Sequence, residues 1–210
     1  DSDDLAGNFP DLGEVTARMH EHALGWQLPA HFERFTWNCD TVFGASPHWG
    51  HWHSCPWVDD ESRQLLMHLT DALQLRLNQF GHAKERFGLV HADMRLANLL
   101  LHEGETRVID FDDCGMSWYL YDLATALSFL EDQPNVMELV DAWLSGYRRV
   151  RDVSQDEVNE IPTFLMLRRM LAIAWIGSHS ETELAQELGP DFIPATLPLA
   201  EKFLSGTWKA

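Results

Sequence analysis

Apolar residues recur at intervals of three and four along most of the chain, the spacing that places side chains on one face of an α-helix. The first such stripe is formed by Leu12, Val15, Met19 and Ala23. It predicts an amphipathic helix over residues 11–24. The ten residues before it are polar and end in Pro10, so we expect residues 1–10 to be an irregular lead-in.

Further stripes of the same period predict five more helices. The first ends at Gly81, because glycine readily adopts the backbone angles found after a helix. The others cover residues near 120–127, 136–147, 161–177 and 192–204. The third of these four is apolar nearly all round, as expected of a helix buried in the core.

Residues 25–59 break this pattern. The segment contains repeated glycine and proline with tryptophan and histidine between them, which predicts a loop anchored by aromatic side chains. Its histidines and cysteines are possible ligands of a structural zinc ion, although they match no standard zinc spacing. Two interpretations of its tryptophans stay open. They pack against the helices, or they line a substrate pocket in which Trp49 and Trp52 contact an ammonium group.

Polar chemistry is concentrated between residues 88 and 115. Gly88 to His91 is a short apolar run typical of the end of a strand, and Arg107 to Phe111 indicates a second short strand. After Gly115 the chain is predicted to be helical. The whole pattern therefore predicts an α+β fold that is mainly helical, with one small β insert.

The charge balance narrows the range of partners. The 210 residues include 33 Asp and Glu against 15 Lys and Arg, and the net charge of −18 repels nucleic acid and anionic membranes. No run approaches the roughly 18 to 20 apolar residues of a membrane span. Three cysteines are too few, and odd in number, for a disulfide framework. We expect a cytoplasmic protein that binds neither nucleic acid nor membrane.

The β insert contains two clusters with the chemistry of phosphoryl transfer. They are His91-Ala92-Asp93-Met94-Arg95-Leu96-Ala97-Asn98 and Asp110-Phe111-Asp112-Asp113. Phosphoryl transfer to a hydroxyl needs a carboxylate that orients the acceptor, oxygen ligands for Mg²⁺ and a cation near the transferred group. In kinases these needs are met by a loop with histidine, aspartate and a downstream asparagine, followed by a metal-binding aspartate.

Each polar residue of these clusters has a predicted role. Asp93 would orient the acceptor hydroxyl and accept its proton. Asn98 and Asp110 offer the hard oxygen atoms that Mg²⁺ prefers. Arg95 either approaches the transferred phosphoryl group or forms a salt bridge with a neighbouring carboxylate. His91 is predicted to support the loop rather than to react.

Three motifs in this order resemble those of the aminoglycoside phosphotransferase and choline/homoserine kinase family. His91 to Asn98 is similar to the family's H-G-D-x-x-x-x-N loop, and Val108 to Asp113 is similar to its I-D-F-D-D metal segment. Tyr121 to Ala124 is similar to its Y-D-L-A helix. The resemblance implies the carboxyl-terminal lobe of a protein-kinase-like fold that uses ATP and Mg²⁺.

The resemblance also extends the set of expected site residues. It implies a catalytic Asp93 and places Asp112 beside the metal with Asn98 and Asp110. Asp122 of the Y-D-L-A motif is expected to brace the catalytic loop from a buried helix. The neighbouring acidic residue Asp113 is predicted to contact the substrate.

The chain departs from the family pattern in three ways. Ala92 stands where glycine is common, which predicts a slightly different backbone angle. Arg95 stands where many antibiotic kinases have histidine or other residues, which counts against an antibiotic substrate. No Gly-rich loop is present, and none of the three lysines, Lys84, Lys202 and Lys209, lies in an apolar strand as a nucleotide-binding lysine would.

These inferences predict an ATP-dependent phosphotransferase that moves the γ-phosphate to a hydroxyl of a small metabolite, such as an amino alcohol or a homoserine-like compound. Residues 11–210 would be its catalytic lobe, and residues 1–10 a lead-in from a missing amino-terminal nucleotide lobe. The chain alone would then bind ATP weakly and be inactive. The alternatives are a Ser/Thr protein kinase of the same fold, a metal-dependent phosphohydrolase using His91 and the aspartates, and a non-catalytic protein with a relic site.

Overall fold

The chain divides into two units, each built from two separate stretches of sequence. The structure is a computed structural model that describes residues 5–102 and 105–208. Within these limits, residues up to 36 and from 82 to 161 form the first unit, and the remaining residues form the second. Both units contain helices, and the strands of the described residues all lie in the first. The predicted α+β class with a small β insert is confirmed.

Helix α1 (Leu5–Gly25) opens the first unit. The prediction of an irregular lead-in is therefore wrong from Leu5 onward, and Pro10 lies inside the helix. The buried face of the helix also differs from the predicted stripe, in which Val15, Met19 and Ala23 are only half-buried. The face that is buried consists of Phe9, Leu12, Gly13, Thr16, Ala17 and His20.

Small residues on this face allow α1 to pack closely against helix α5 (Val136–Tyr147). A Cβ atom on Gly13 would lie 2.0 Å from the backbone oxygen of Trp143, and one on Gly146 would lie 1.7 Å from that of Pro10. Both distances are far inside van der Waals contact, so backbone meets backbone at this crossing. This contact requires small side chains rather than apolar ones. For that reason the stripe of apolar residues predicted the wrong buried face of α1.

The strands of the first unit form two small sheets. In one, β1 (Phe35–Thr36) is parallel to β5 (Gly115–Trp118), and β2 (Phe87–Val90) is antiparallel to β5 on its other side. In the other, β3 (Leu99–His102) and β4 (Glu105–Val108) form an antiparallel pair.

Two features of these strands differ from the prediction. The strand predicted over residues 107–111 ends at Val108, and Asp110 has a φ of 64°, a left-handed conformation incompatible with an extended strand. Strand β5 lies where a helix is predicted. Its pairing partner β2 is distant in the sequence, so no local pattern indicates it. Helix α4 (Tyr119–Ala126) follows β5 directly, and helix α6 (Gln155–Asn159) ends the unit.

The second unit is a group of helices around an apolar core. It contains α2 (Cys39–Phe43), α3 (Asp60–Phe80), nearly all of α7 (Ile161–Ser178) and α8 (Glu183–Leu204). Helices α3 and α8 pack against each other. Gly81 follows α3 with a φ of 74°, as the predicted helix end requires.

Helix α7 is long and apolar enough, by length and composition, to cross a membrane. However, 78% of it is buried inside the protein, and it contains the buried residues Arg168 and Arg169. The central helix of a folded core passes the same test of length and composition. The burial of α7 is the outcome predicted for residues 161–177.

We expect Gly146→Ala to destabilise the protein by about 1–3 kcal/mol, because the added methyl group must displace the Pro10 carbonyl from the helix crossing. The steric cost is larger than the roughly 1 kcal/mol that alanine gains over glycine within a helix, so the net effect is a loss of stability. Gly25→Ala is the matched control, since a Cβ atom there meets nothing within 4 Å. Urea unfolding followed by circular dichroism measures both variants. A Gly146→Ala protein as stable as the wild type would show that the crossing is not close.

Candidate active site

The loop between β2 and β3 is held by the buried helix α4. The completely buried carboxyl group of Asp122 accepts hydrogen bonds from the backbone N–H groups of His91 (3.1 Å) and Ala92 (2.7 Å). The hydroxyl of Thr125, on the same helix, accepts one from the N–H of Met94 (2.9 Å). These bonds fix three of the four peptide N–H groups of residues 91–94, so the backbone of the loop is held by side chains of α4.

Ala92 adopts a φ of 66°, in the left-handed region that favours glycine. A residue with a Cβ atom loses about 1–2 kcal/mol in that conformation. The alanine therefore does not relax to an ordinary backbone angle. The hydrogen bond from its N–H to Asp122 holds the loop in a conformation suited to glycine.

Three of the predicted site residues touch one another. Arg95 makes a two-point contact with the Asp93 carboxylate, from Nε to Oδ1 at 2.8 Å and from a terminal nitrogen to Oδ2 at 2.9 Å. Asn98 donates from Nδ2 to Oδ2 of Asp93 at 2.7 Å and to its backbone oxygen at 2.9 Å. Of the two interpretations of Arg95, the salt bridge is the one formed in this structure.

His91 joins this loop to the acidic segment. Its buried ring accepts a hydrogen bond at Nδ1 from the N–H of Asp93 (3.2 Å) and donates from Nε2 to the backbone oxygen of Ile109 (3.1 Å). The N–H of Ile109 in turn donates to the backbone oxygen of Asn98 (3.0 Å). Both connections end at the residue before Asp110, so the two predicted clusters are fixed to each other there.

The donor atoms around this junction fit Mg²⁺. Asn98 uses its amide nitrogen for Asp93, so the amide oxygen is the atom suited to a cation. Asp110 and Asp112 are exposed, and Asp113 is half-buried. Across residues 5–102 and 105–208, no three His, Cys, Asp or Glu side chains converge on one point. Mg²⁺ in proteins usually takes one or two carboxylates together with substrate phosphates and water, and the oxygen atoms of Asn98 and Asp110 are of that kind.

The two tryptophans of the predicted substrate pocket lie in the second unit. Trp52 is only 6% exposed and belongs to the hydrophobic core of that unit. Trp49 packs against the same core, and the guanidinium of Arg168 lies 5.7 Å from its ring centroid. The packing interpretation fits Trp52, and the cation beside Trp49 comes from the protein itself. Contact of Trp49 or Trp52 with a substrate ammonium group stays a prediction.

A residue that the pattern of the sequence did not single out lies behind Asp122. His20 of α1 donates from Nε2 to Oδ2 of Asp122 (2.9 Å) and accepts at Nδ1 from the hydroxyl of Tyr147 (2.8 Å). Arg151 donates to that hydroxyl at 3.1 Å. His20 lies outside the predicted apolar stripe of α1, so the pattern of the sequence held no signal for its burial.

Burial sets the protonation of this group of residues. It lowers the pKa of His20, and the hydrogen bond to Asp122 opposes the shift only in part. His20 is therefore neutral near pH 7, and its contact with Asp122 is a hydrogen bond rather than an ion pair. Burial also raises the pKa of Tyr147, so its hydroxyl keeps the proton that it donates to His20.

The arrangement of the site defines a class of protein. A loop with histidine, aspartate and asparagine is tied to an acidic segment after a hairpin and braced by an aspartate from a buried helix, as in phosphotransferases with a protein-kinase-like fold. The sequence profile of the phosphotransferase enzyme family, APH, matches residues 1–155. This chain belongs to that family, which confirms the resemblance seen in its motifs.

Known proteins support the same fold. The structure of a microcompartment-associated aminopropanol kinase covers 96% of this chain at 38% identity and a TM-score of 0.91. The amicoumacin kinase hAmiN, solved in complex with AMP-PNP, Ca²⁺ and Ami, covers 94% at 23% identity and a TM-score of 0.71. Amicoumacin kinase of Bacillus subtilis (strain 168) is 26% identical over 174 residues, or 78% of this chain. The chain spans only 63%, 59% and 48% of these proteins, in that order.

The lowered pKa of His20 predicts a specific dependence of stability on pH. Above the ordinary histidine pKa of 6.5, this residue is neutral in both folded and unfolded protein. Below it, the unfolded chain binds a proton that the folded protein does not, so stability falls by up to about 1.4 kcal/mol per pH unit. We expect His20→Gln to lose this contribution between about pH 5 and 6.5 in urea unfolding measured across that range.

His68→Gln is the control, because His68 is exposed on helix α3. We expect it to keep the pH dependence of the wild type. If His20→Gln also kept it, His20 would not be a neutral residue in the folded protein.

Proposed function

We propose that this chain is the catalytic lobe of an ATP-dependent kinase that phosphorylates a hydroxyl group of a small amino alcohol. The observation that carries this proposal is the direct contact of Asp93 with Asn98, in a loop joined through Ile109 to the segment of Asp110. The 38% identity with an aminopropanol kinase, over nearly the whole chain, favours an amino alcohol as acceptor.

In the proposed reaction, the acceptor hydroxyl donates a hydrogen bond to the Asp93 carboxylate. Its oxygen attacks the γ-phosphorus of ATP, and the bond between that phosphorus and the oxygen bridging to the β-phosphate breaks. The hydroxyl proton passes to Asp93, and ADP leaves. The main contributions of the protein are to position the acceptor and to stabilise negative charge on the transferred group.

Arg95 changes partner in this proposal. Its two bonds to Asp93, with that from Asn98, take up most of the roughly four acceptor positions of a carboxylate. They therefore compete with an acceptor hydroxyl. The Arg95 side chain is 38% exposed, whereas that of Asp93 is 7% exposed. Arg95 is thus able to turn outward to the transferred phosphoryl group and leave Asp93 for the acceptor.

The remaining residues hold the metal and the geometry. Asn98 and Asp110 would bind Mg²⁺, with Asp112 beside it. When bound, this ion supplies positive charge to the phosphates of ATP. Asp122 holds the loop and His91 links it to the acidic segment, as their hydrogen bonds indicate. Contact between Asp113 and the substrate stays a prediction.

The nucleotide lobe is proposed to lie in the part of the longer relatives that this chain does not match. Phe111 and Trp26 are 49% and 37% exposed, and both line a cavity of about 250 Å³ that also includes Met19 and Leu89. An exposed apolar surface beside the acidic segment is what a further lobe would cover. Residues 11–210 remain the proposed catalytic lobe, now with α1 reaching back to Leu5.

The structure and the comparisons weigh against the alternatives. A phosphohydrolase site with His91 as a metal ligand is disfavoured, because both ring nitrogens are occupied by backbone groups. A protein substrate is disfavoured by the small molecules named for two of the relatives. A relic site would be expected to lose its contacts, whereas those of Asp93 are all formed.

We expect Asp93→Asn, in the longest natural form of the protein, to lower kcat by about 100- to 10,000-fold, because the amide cannot accept the hydroxyl proton. The assay is transfer of labelled phosphate from ATP to a panel of amino alcohols, homoserine and other small metabolites. Asp71→Asn, at an exposed position on α3, is the matched control and should retain activity. Full activity of Asp93→Asn would remove this residue from the mechanism.

The 210-residue chain alone should bind ATP weakly, with a dissociation constant of about 1 mM or above, because it contains no Gly-rich loop and no strand lysine for the phosphates. Isothermal titration calorimetry with ATP and Mg²⁺ measures this. Micromolar binding by the isolated chain would show that its own residues form the whole nucleotide site.

A further inference from the structure

Arg34 holds the acidic segment by its backbone. Its Nε donates to the carbonyl oxygen of Cys114 at 2.6 Å, and a terminal nitrogen donates to that of Phe111 at 3.0 Å and to that of Asp112. The N–H of Cys114 closes the same turn on the oxygen of Phe111 at 3.1 Å. One side chain therefore binds three carbonyl groups within the four residues that follow Asp110.

The backbone beneath Arg34 is tied to the same turn. Arg34 is the residue before β1, and Phe35 of β1 is paired with Gly115, the first residue after the turn. A Cβ atom on Gly115 would lie 2.6 Å from the backbone oxygen of Phe35, so only glycine fits this close pairing. Arg34 directly precedes β1, and the turn directly precedes β5. Because these two strands are paired, Arg34 and the turn cannot move far from each other.

The chemistry of the contact suits a segment that binds a cation. The four residues 110–113 contain three carboxyl groups, those of Asp110, Asp112 and Asp113. The positive charge of Arg34 reduces the repulsion between them. The bonds described go to carbonyl oxygens, so Arg34 orders the turn through its backbone. Arginine presents several donors in a fixed plane, whereas lysine presents a single charged nitrogen.

We propose that Arg34 is a positioning residue that sets the turn after Asp110 and thereby aims the carboxylates of Asp110 and Asp112 at the metal ion. The inference rests on the proposed function, which assigns Mg²⁺ to these carboxylates. Arg34 takes no part in the bond-making steps. Loss of Arg34 should therefore raise the metal concentration needed for activity and leave the affinity for the acceptor nearly unchanged.

The test compares Arg34→Gln and Arg34→Lys with Arg63→Gln in the longest natural form of the protein. Arg63 is a matched control, because it also donates to loop carbonyls, those of His53 (2.7 Å) and Val58 (3.3 Å), but in the second unit. The first readout is the Mg²⁺ concentration for half-maximal phosphate transfer at saturating ATP. The second is Mn²⁺ binding followed by electron paramagnetic resonance, which needs no turnover. The third is hydrogen exchange of the Cys114 amide.

We expect Arg34→Gln to raise the half-activating Mg²⁺ concentration and to weaken Mn²⁺ binding by about tenfold or more, as for other residues that orient metal ligands. The KM for the acceptor should change by less than about twofold, and the Cys114 amide should exchange faster. Arg34→Lys should show a smaller shift, since it keeps the charge but not the planar set of donors. Arg63→Gln should match the wild type in all three readouts.

An unchanged Mg²⁺ requirement and unchanged Mn²⁺ binding in Arg34→Gln would overturn the proposal, as would an equal shift in Arg63→Gln. If the wild type transfers no phosphate, the proposed function fails by itself. In that case weaker Mn²⁺ binding by Arg34→Gln would still support the role of Arg34. Mn²⁺ binding equal to that of the wild type, or no binding by either protein, would reject it.

Discussion

The buried carboxyl group of Asp122 is the point on which the site depends. A carboxyl group inside a protein is tolerated only when its oxygens accept hydrogen bonds. Here two of those bonds come from consecutive peptide groups of the loop between β2 and β3 and one from the neutral ring of His20. The need to satisfy one buried group thus determines the path of the loop, including the left-handed conformation of Ala92.

The rest of the site is assembled by similar links between backbone and side chain. His91 and Asn98 both bond to Ile109, which fixes the acidic segment against the loop between β2 and β3. Arg34 holds the far side of that segment through three carbonyl groups. The backbone that carries the residues proposed to do chemistry is therefore held by residues that take no part in the reaction.

Membership of the phosphotransferase family supports the kind of reaction that we propose, and the acceptor remains a proposal. In this structure the carboxylate of Asp93 is paired with Arg95. In the proposed reaction, Arg95 leaves Asp93 for the transferred phosphoryl group, and the acceptor hydroxyl takes its place on Asp93. In the second unit, Trp52 belongs to the hydrophobic core and Trp49 packs against it.

The sequence by itself determined the helices with strong apolar periodicity, the α+β class, and the order of the three motifs, because these depend on neighbours a few residues apart. Only the tertiary structure decided the extent of α1, the presence of β5, and the roles of His20 and Arg34. Each of these depends on a contact between distant parts of the chain, such as Gly146 against Pro10 or Arg34 against Cys114. Such contacts select size, shape and hydrogen-bonding capacity, and these leave no periodic trace in the sequence.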